Sequence, residues 1–566
     1  MLHTLKPKFL STLKGYSKEQ FFKDITAGII VAIIALPLSI ALAIASGVSP
    51  EKGLHTAIIA GFLISFLGGS RVQIGGPTGA FMVIVYGIVT QFGFNGLIIA
   101  TILAGIIMIL MGVLRLGSII KFIPYPITTG FTSGIAVVIF TSQIKDFLGL
   151  NIAEVPVEFL DKWERYIQTF STINIQTTLI GLLALGIIIF WPKVTRKIPG
   201  ALVALIITSV LVKLLNMDVA TIGSQFGELS SDLPSISIPE ITIEQIKLLI
   251  APAFTIAILG SIESLLSAVV ADGMIGSKHR SNMELVAQGI ANIASGLFGG
   301  IPATGAIART IANIKNGGRT PVAGMVHAIT LLLIMVVFMP LAKMIPLTAL
   351  AAILIVVAYN MSEWREFLEV FKSPKSDISV LLVTFFVTVL IDLVIAIEIS
   401  MVLAVFLFMK RMADVSNIKI SDLDASEENE KSEEEDGFRR KNKANKDNAL
   451  KGIQVYEING PFFFGATDKF LEALNGLGYK TKILIVDMKN VPAMDGTALH
   501  VFKRMMKTCL KRNICVFIAG VNEQPLNLLK KAEIYGMLIG EECFFENMDE
   551  AIQVASQDLS YTADRA

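Results

Sequence analysis

Two short stretches of this chain repeat nearly the same glycine- and proline-rich string, and this repeat constrains the fold more than any other feature. Gly75-Gly76-Pro77-Thr78-Gly79-Ala80 recurs as Gly299-Gly300-Ile301-Pro302-Ala303-Thr304-Gly305-Ala306, with the shared threonine 226 residues further on. Gly and Pro break helices, and each string precedes an apolar run too short to cross a bilayer as a full helix. Paired interruptions in corresponding halves of a membrane protein predict the binding site of a secondary transporter.

The composition supports a membrane location. Of the 566 residues 53% are hydrophobic and 17% charged, with a mean hydropathy of +0.66. These values exclude an ordinary soluble globule. The net charge of +1 gives no reason to expect nucleic-acid binding. The expected organisation is a cytosolic N-terminal segment without a cleaved signal, a transporter domain made of two repeats, a charged linker and a globular tail. The corresponding boundaries are 1–23, 24–412 (repeats about 24–215 and 248–412), 413–450 and 451–566.

Apolar runs of about 17 to 25 residues predict membrane-spanning helices. Two half-helices, 79–90 and 305–314, bring the expected number to fourteen, seven in each half. An odd number of spans per repeat inverts the second copy, so we expect a 7+7 inverted repeat. The full spans are expected near 25–46, 53–69, 96–114, 118–144, 172–191, 198–215, 249–271, 283–298, 321–340, 345–360, 377–391 and 394–411.

Basic residues fix the expected orientation. With the N-terminus inside, the basic loops all fall on the cytosolic side, as the positive-inside rule requires. Two longer loops, rich in Asp and Glu, fall outside. The cytosolic basic residues are Lys193, Arg196, Lys197, Lys278, Arg280, Lys315, Arg319, Lys410 and Arg411.

The two half-helix amino ends predict an anion site. A helix N-terminus leaves backbone N–H groups without partners and carries partial positive charge. Thr78 and Thr304 occupy expected N-cap positions, and Gly79 and Gly305 allow close approach of a ligand. The expected donors are the N–H groups of Ala80, Phe81, Ala306 and Ile307. The alternative is that both strings are helix breaks with a packing role.

Two ionisable residues are expected near this point. Glu263 lies about twelve residues into its span, and an intramembrane carboxylate is a functional candidate by default. Ser267 follows at i+4 and is expected to share a proton or cation site with it. Arg309 adds positive charge next to the proposed anion. Alternatively, Glu263 and Arg309 pair with each other and hold two helices together.

Four further residues have weaker assignments. Pro37 stands 226 residues before Glu263 and is expected to break the first span, and Ser39 is expected to line the site. Asp272 is assigned to a cytosolic loop. His327 is interpreted as a hydrogen-bonded packing residue.

These residues resemble a known family. GGPTGAF is similar to the third-span motif of the SulP anion permeases, which correspond to solute carrier family 26, and the block from ESLLSAVVADGMIGS to GGIPATGAIART resembles their most recognisable segment. The resemblance implies core and gate domains, a dimer, elevator-like alternating access, an anion between the third and tenth spans, and proton or sodium coupling at Glu263. Leu36-Pro37-Leu38 departs from the family's usual Leu-Pro-Gln, and the pattern is closer to bacterial members that include C4-dicarboxylate carriers.

The tail is similar to a STAS domain. Strands near 453–458, 483–488 and 515–519 alternate with helices near 466–476, 495–509, 525–535 and 548–556. Thr497 matches the phosphoacceptor position of related domains, but Gly496 replaces the usual serine. We therefore expect an unphosphorylated helix start capped by Asp495. Three scattered cysteines in the tail indicate a reducing cytosol.

The sequence thus predicts a transporter of a sulfate, bicarbonate or C4-dicarboxylate anion, most simply a proton symporter, in a bacterial inner or plasma membrane with both termini cytosolic. A sodium-coupled bicarbonate symporter, a channel-like anion conductor and a sensor with a cytosolic partner at the STAS domain remain alternatives. No enzymatic motif, metal site or cofactor is expected, beyond H⁺ or Na⁺ as the coupling ion.

Overall fold

The computed structural model describes residues 5–13, 15–118, 124–152, 155–195, 198–228, 231, 233–239, 242–391, 393–422, 452–467, 481–536 and 538–563. The chain forms two compact units, Met1–Val402 and Leu403–Ala566. Several sequence expectations lie outside the described residues: the charges of Arg196 and Lys197, the linker from 423 to 450, and the helix near 466–476 from residue 468 onward.

The first unit is helical. Its helices, the last of which continues into the second unit, are α1 Lys8–Thr12, α2 Lys18–Ala45, α3 Pro50–Leu67, α4 Gly79–Val113, α5 Tyr125–Leu148, α6 Phe159–Gln168, α7 Ile175–Val194, α8 Gly200–Leu214, α9 Ile222–Phe226, α10 Ile243–Ile275, α11 Ser281–Leu297, α12 Ile307–Lys315, α13 Val322–Ala342, α14 Leu347–Met361, α15 Trp364–Val370, α16 Lys375–Leu390 and α17 Leu393–Val415. Two strands of two residues, β1 Gly75–Gly76 and β2 Thr304–Gly305, precede α4 and α12.

These helices match the fourteen expected spans. Gly93 has φ 68° and ψ −177° inside α4, so α4 is a half-helix followed by a full span. With α4 counted twice, α2 to α8 without α6 give seven spans, and α10 to α17 without α15 give the other seven. Among the described residues, seven helical segments are long and apolar enough to cross a bilayer by themselves.

Local sequence signals set several helix ends. The Ser17 side chain accepts a hydrogen bond from the N–H of Gln20 at the start of α2, and Thr242 forms a capping box with Gln245 at the start of α10. Gly149 and Gly276 end α5 and α10 in the left-handed conformation. The expectation that Pro37 breaks the first span is wrong, because α2 continues through it to Ala45.

The packing of the helices repeats under exchange of the two halves. α2 and α3 pack on α13, and their counterparts α10 and α11 pack on the second part of α4, which is the counterpart of α13. Likewise α5 packs on α16, and α7 packs on α14. The halves are therefore related by the expected inverted repeat. They form one group around α2–α4 and α10–α13 and another around α5–α8 and α14–α17.

Small residues allow the closest of these contacts. Gly105 of α4 and Gly289 of α11 face each other, and a Cβ atom on either would collide with the backbone carbonyl of the other. Gly28 of α2 meets the carbonyl of Ala323 in α13 in the same way. Close backbone approach at small residues is the usual basis of helix association in membranes.

The second unit is a five-stranded sheet with helices on both faces. The elements are β3 Asn417–Asp422, β4 Ile453–Asn459, β5 Ile483–Asn490, α18 Gly496–Lys511, β6 Cys515–Ala519, α19 Glu523–Lys531, β7 Phe544–Phe545 and α20 Met548–Ala563. The strands follow the order β3-β4-β5-β6-β7, antiparallel between β3 and β4 and parallel thereafter. Alternate residues of β4 and β5 pack on α18 and α19 on one face and on α20 on the other.

This unit begins earlier than the sequence indicates. The segment 417–422, which was expected to belong to the charged linker, forms β3 and pairs along its whole length with β4. Asp495 caps α18 as expected, because its side chain accepts a hydrogen bond from the N–H of Ala498. Thr497 is exposed in the first turn of this helix.

Candidate functional site

The two repeated strings meet at the centre of the first unit. β1 and β2 pair antiparallel, Gly75 with Gly305 and Gly76 with Thr304. The next pair in this register is Pro77 opposite Ala303, and these two residues are 226 positions apart in the chain. The pseudo-twofold relation between the halves therefore passes through this crossing, and α4 and α12 start beside it.

A buried carboxylate supports the first string. Glu284 of α11 is fully buried and accepts hydrogen bonds from the N–H groups of Gly69 and Ser70 at 2.7 and 3.1 Å. The Ser264 hydroxyl and the Gln288 amide also donate to this carboxylate at 3.1 and 3.0 Å. These bonds fix the chain as it leaves α3 and turns back toward the crossing.

The second string is held by side chains of α11 and α3. The Asn292 amide bonds to both backbone groups of Ala303, at 2.8 and 2.9 Å. The Ser295 hydroxyl donates to the carbonyl of Ile301 at 2.7 Å, and the Thr56 hydroxyl accepts from the N–H of the same residue at 2.7 Å. These supporting hydrogen bonds are not predicted from the sequence. The available signal was a stripe of polar residues on one face of α11, made of Glu284, Gln288, Asn292 and Ser295.

Thr78 contacts the intramembrane carboxylate. Thr78 is the N-cap residue of α4, but its hydroxyl makes no capping bond and instead donates to Oε2 of Glu263 at 2.9 Å. The expectation of a side-chain N-cap is therefore wrong here, because a long-range partner takes the hydroxyl. Thr78 and Glu263 are both partly exposed, so solvent or a small solute can reach them.

The second half does not copy this arrangement. Thr304 lies in β2, not at the N-cap, and its hydroxyl donates to the carbonyl of Gly260 at 2.8 Å. Ala306 is the N-cap of α12, and its N–H donates to the carbonyl of Ile74 at 2.8 Å. The expected capping role of Thr304 and the expected free donor at Ala306 are both wrong. Ile307 is the first residue of α12.

Arg309 contacts the first string. Its side chain is 3% exposed, and Nη2 donates to the carbonyl of Pro77 at 3.1 Å. Nη1 lies against Gly76 and has no hydrogen-bond partner in the described part of the chain. No ion pair between Arg309 and Glu263 occurs among the described residues. The alternative of a simple pairing of these two charges is therefore wrong.

Other predicted residues line the edges of the crossing. Gly79 faces Met361 of α14 and Ile139 of α5, and the buried Phe81 ring lies against Gly260. Gly305 lies against the side chain of Gln73. Ala80 is fully buried in the first turn of α4.

Ser267 and Ser39 are not joined to Glu263. The Ser267 hydroxyl donates to the hydroxyl of Thr310 at 3.3 Å, and Thr310 accepts from the N–H of Ile74. Ser267 thus supports the crossing, and the expected site shared with Glu263 is not formed by direct contact. The Ser39 hydroxyl is buried without a partner among the described residues, where α2 packs on α3 at Gly53.

Two weaker assignments have opposite outcomes. Asp272 lies in the last turn of α10 and accepts hydrogen bonds from the Ser277 hydroxyl and the His279 N–H, so it holds the loop that follows the helix, in line with the role predicted for it. The interpretation of His327 as a hydrogen-bonded packing residue is wrong, because both of its ring nitrogens are buried without a partner among the described residues.

A membrane unit of inverted repeats, with two interrupted helices meeting beside a carboxylate and an arginine, has the architecture of a secondary transporter. Sequence models agree: residues 21–384 match the sulfate permease family and residues 447–551 match the STAS domain. The chain therefore belongs to the sulfate permease (SulP) family and carries a C-terminal STAS domain.

Individual relatives extend over nearly the whole chain. YvdB of Bacillus subtilis, a proposed sulfate transporter, is 43% identical over 96% of this chain and 99% of its own. The bicarbonate transporter BicA of a Picosynechococcus species is 29% identical over 94% of each chain. The solved structure of SLC26A9 matches 100% of this chain and 94% of its own with a TM-score of 0.86 at 17% identity, which shows the shared fold.

Proposed function

We propose that this protein is a secondary active transporter of a small anion in the sulfate, bicarbonate and C4-dicarboxylate class. The observation that carries the proposal is the hydrogen bond of 2.9 Å between the hydroxyl of Thr78, at the amino end of the α4 half-helix, and Glu263. This hydrogen bond links the helix end, where an anion is expected to bind, with a carboxyl group that can exchange a proton. The membership of the sulfate permease family supports anions as the substrate class.

The anion binds at the crossing. The N–H of Phe81, which was predicted as a donor to the anion, instead donates to the carbonyl of Thr78 at 3.3 Å. Gly79 and Ala80 precede this bond, so their N–H groups remain at the helix end. Arg309 places the free donors of Nη1 next to Gly76. Because the N–H of Ala306 is taken by Ile74, the α4 end contributes more donors than the α12 end. Of the predicted donors on α12, only the N–H of Ile307 remains for the ligand.

A proton on Glu263 couples to this anion. An ionised carboxylate beside the bound anion repels it, and the repulsion is strong where water is largely excluded. Protonation removes the negative charge, so anion and proton bind together and cross together. Elevator-like movement of the α2–α4 and α10–α13 group against the other helices then carries both across the membrane.

The remaining assignments complete the proposal. The protein is placed in a bacterial inner or plasma membrane, with both termini in the cytosol and α2 running outward, as the basic loops indicate. It works as a homodimer, and the STAS unit offers a surface to a cytosolic regulatory partner.

A second candidate is a sodium-coupled bicarbonate symporter, favoured by the 29% identity to BicA. Purified protein in liposomes separates the candidates when uptake of labelled sulfate and bicarbonate is driven by an imposed proton or sodium gradient. We expect saturable uptake that follows the proton gradient and shows counterflow. Uptake that follows the sodium gradient alone would show that sodium is the coupling ion in place of the proton. Currents far above carrier rates would show a channel.

A further inference from the structure

Helix α6 buries a lysine while it exposes aliphatic side chains. It connects two spans, and its buried residues are Lys162 and Tyr166, one turn apart on the same face. Leu160 and Ile167 on the other faces are 65% and 72% exposed. Lysine is almost never buried in proteins unless it is paired. A helix that turns a lysine inward and aliphatic residues outward therefore indicates a use for that amine.

The amine of Lys162 has no counter-ion among the residues that the structure describes. Lys162 is 6% exposed, and its side-chain amine makes no hydrogen bond or ion pair to another described residue. The centre of the Tyr86 ring lies 5.8 Å from Nζ. The hydroxyl of Tyr166 is also buried without a partner among the described residues. Burial lowers the pKa of the Lys162 amine.

Lys162 faces a cavity of about 740 Å³ beside the ends of α2 and α4, next to α5 and α14. The charged residues that line it are Lys162, Lys145 and Asp146, so two lysines oppose one aspartate. The inner walls are apolar and include Met82 and Leu350. The proposed topology places this cavity on the outer side of the membrane. Thr78, Glu263 and Arg309 do not line it.

We propose that Lys162 is the charged group of an entry site for a small oxyanion, such as sulfate or bicarbonate, separate from the crossing of the half-helices. The inference rests on the proposed anion transport. A positive group in a narrow, water-poor mouth raises the local concentration of anions and their rate of arrival. The apolar walls deeper in the cavity hold the ion weakly, so it moves on rather than remaining bound at the entrance.

Kinetics of the full chain in liposomes test this site. Lys162→Met keeps the length of the side chain and removes its charge, so the KM for sulfate uptake at low ionic strength should rise at least about threefold with little change in maximal rate. Lys162→Arg should restore the KM. Arg165→Met is the matched control, because it removes a positive charge from the exposed side of the same helix. Unchanged melting temperatures of the variants show that they fold.

Chemical protection gives a readout that does not depend on transport. The full chain in detergent is acylated with acetic anhydride, and the modification of Lys162 is measured by mass spectrometry with and without sulfate. Sulfate should slow acylation of Lys162 and leave Lys193, on another helix, unaffected. If the wild type transports neither anion but sulfate protects Lys162, the entry site stands and the transport proposal fails. If uptake proceeds with an unchanged KM in Lys162→Met and sulfate gives no protection, the entry site is overturned.

Discussion

At the scale of single residues, the site depends on which hydrogen-bond donors are not already used in bonds within the protein. The hydroxyl of Thr304 and the N–H of Ala306 are used within the fold, whereas Nη1 of Arg309 is buried with no partner in the part of the chain that the structure describes. A buried, unpaired guanidinium nitrogen is costly to keep unless a ligand uses it. Arg309 is therefore the side chain on which we expect anion affinity to depend most.

Replacement of this arginine tests the assignment. In Arg309→Gln, loss of a charge-assisted hydrogen bond worth about 1.5–3 kcal/mol should weaken anion binding roughly tenfold or more. The stabilisation of the purified protein by sulfate, measured as a rise in Tm, should then disappear at concentrations that stabilise the wild type. Arg319→Gln is the control, since Arg319 bonds to the carbonyls of Ile314 and Gly318 away from the crossing. An equal rise in Tm for Arg309→Gln and the wild type would contradict the role.

The STAS unit permits a test of burial by thiol chemistry. Burial raises the pKa of the Cys509 thiol to about 11, so almost none of it is thiolate between pH 7 and 9. Cys515 is exposed at the start of β6. Maleimide at pH 7 to 9 should label Cys515 in the native protein and Cys509 only after unfolding, as read by mass spectrometry. Rapid native labelling of Cys509 would contradict the packing of α18 against the sheet.

At the scale of helices and strands, close contact between glycines positions the second part of α4. Gly105→Ala forces a methyl group into the backbone of α11 at Gly289, which should cost about 1–3 kcal/mol and lower the Tm. Gly87 lies in the half-helix part of α4 with open space around its Cα. Gly87→Ala should therefore leave the Tm unchanged or raise it. Equal effects of the two substitutions would show that the contact is unimportant.

The sequence predicts elements well where the signal is local. Hydropathy predicts the spans to within a few residues for most helices, and the repeated Gly and Pro predict both interruptions. What it does not predict depends on partners distant in the chain. The Thr78 hydroxyl donates a hydrogen bond to Glu263, 185 residues away in the chain, instead of capping its own helix. The strand Asn417–Asp422 is recognisable only through its pairing with β4 across a long charged segment.

The site follows the same pattern. Glu263 and Arg309 stand out in the sequence because charges are rare in apolar spans. Lys162 does not stand out in the sequence, because the lysines of a polar helix are expected to face water. Only the packing of the folded chain shows that this lysine faces inward.

At the scale of the whole molecule, two nearly symmetric halves carry asymmetric charges. The positions 226 residues before Glu263 and Arg309 are Pro37 and Val83, which are apolar. The proposed anion site lies at the crossing of the repeats, where the second repeat alone supplies the Glu263 carboxylate and the Arg309 guanidinium. We therefore place coupling in the second half of the molecule, with the donor end of α4 and the Thr78 hydroxyl as the contribution of the first half.

The central claim is that Glu263 carries the coupling proton, and one measurement tests it most directly. Sulfate uptake and sulfate counterflow into liposomes are compared across external pH for the wild type, Glu263→Gln and Glu244→Gln, the last being an exposed carboxylate at the start of the same helix. Wild type and Glu244→Gln should accumulate sulfate more strongly as the external pH falls. Glu263→Gln should retain counterflow and lose this pH-driven accumulation. Equal pH-driven accumulation by Glu263→Gln and the wild type would contradict the account.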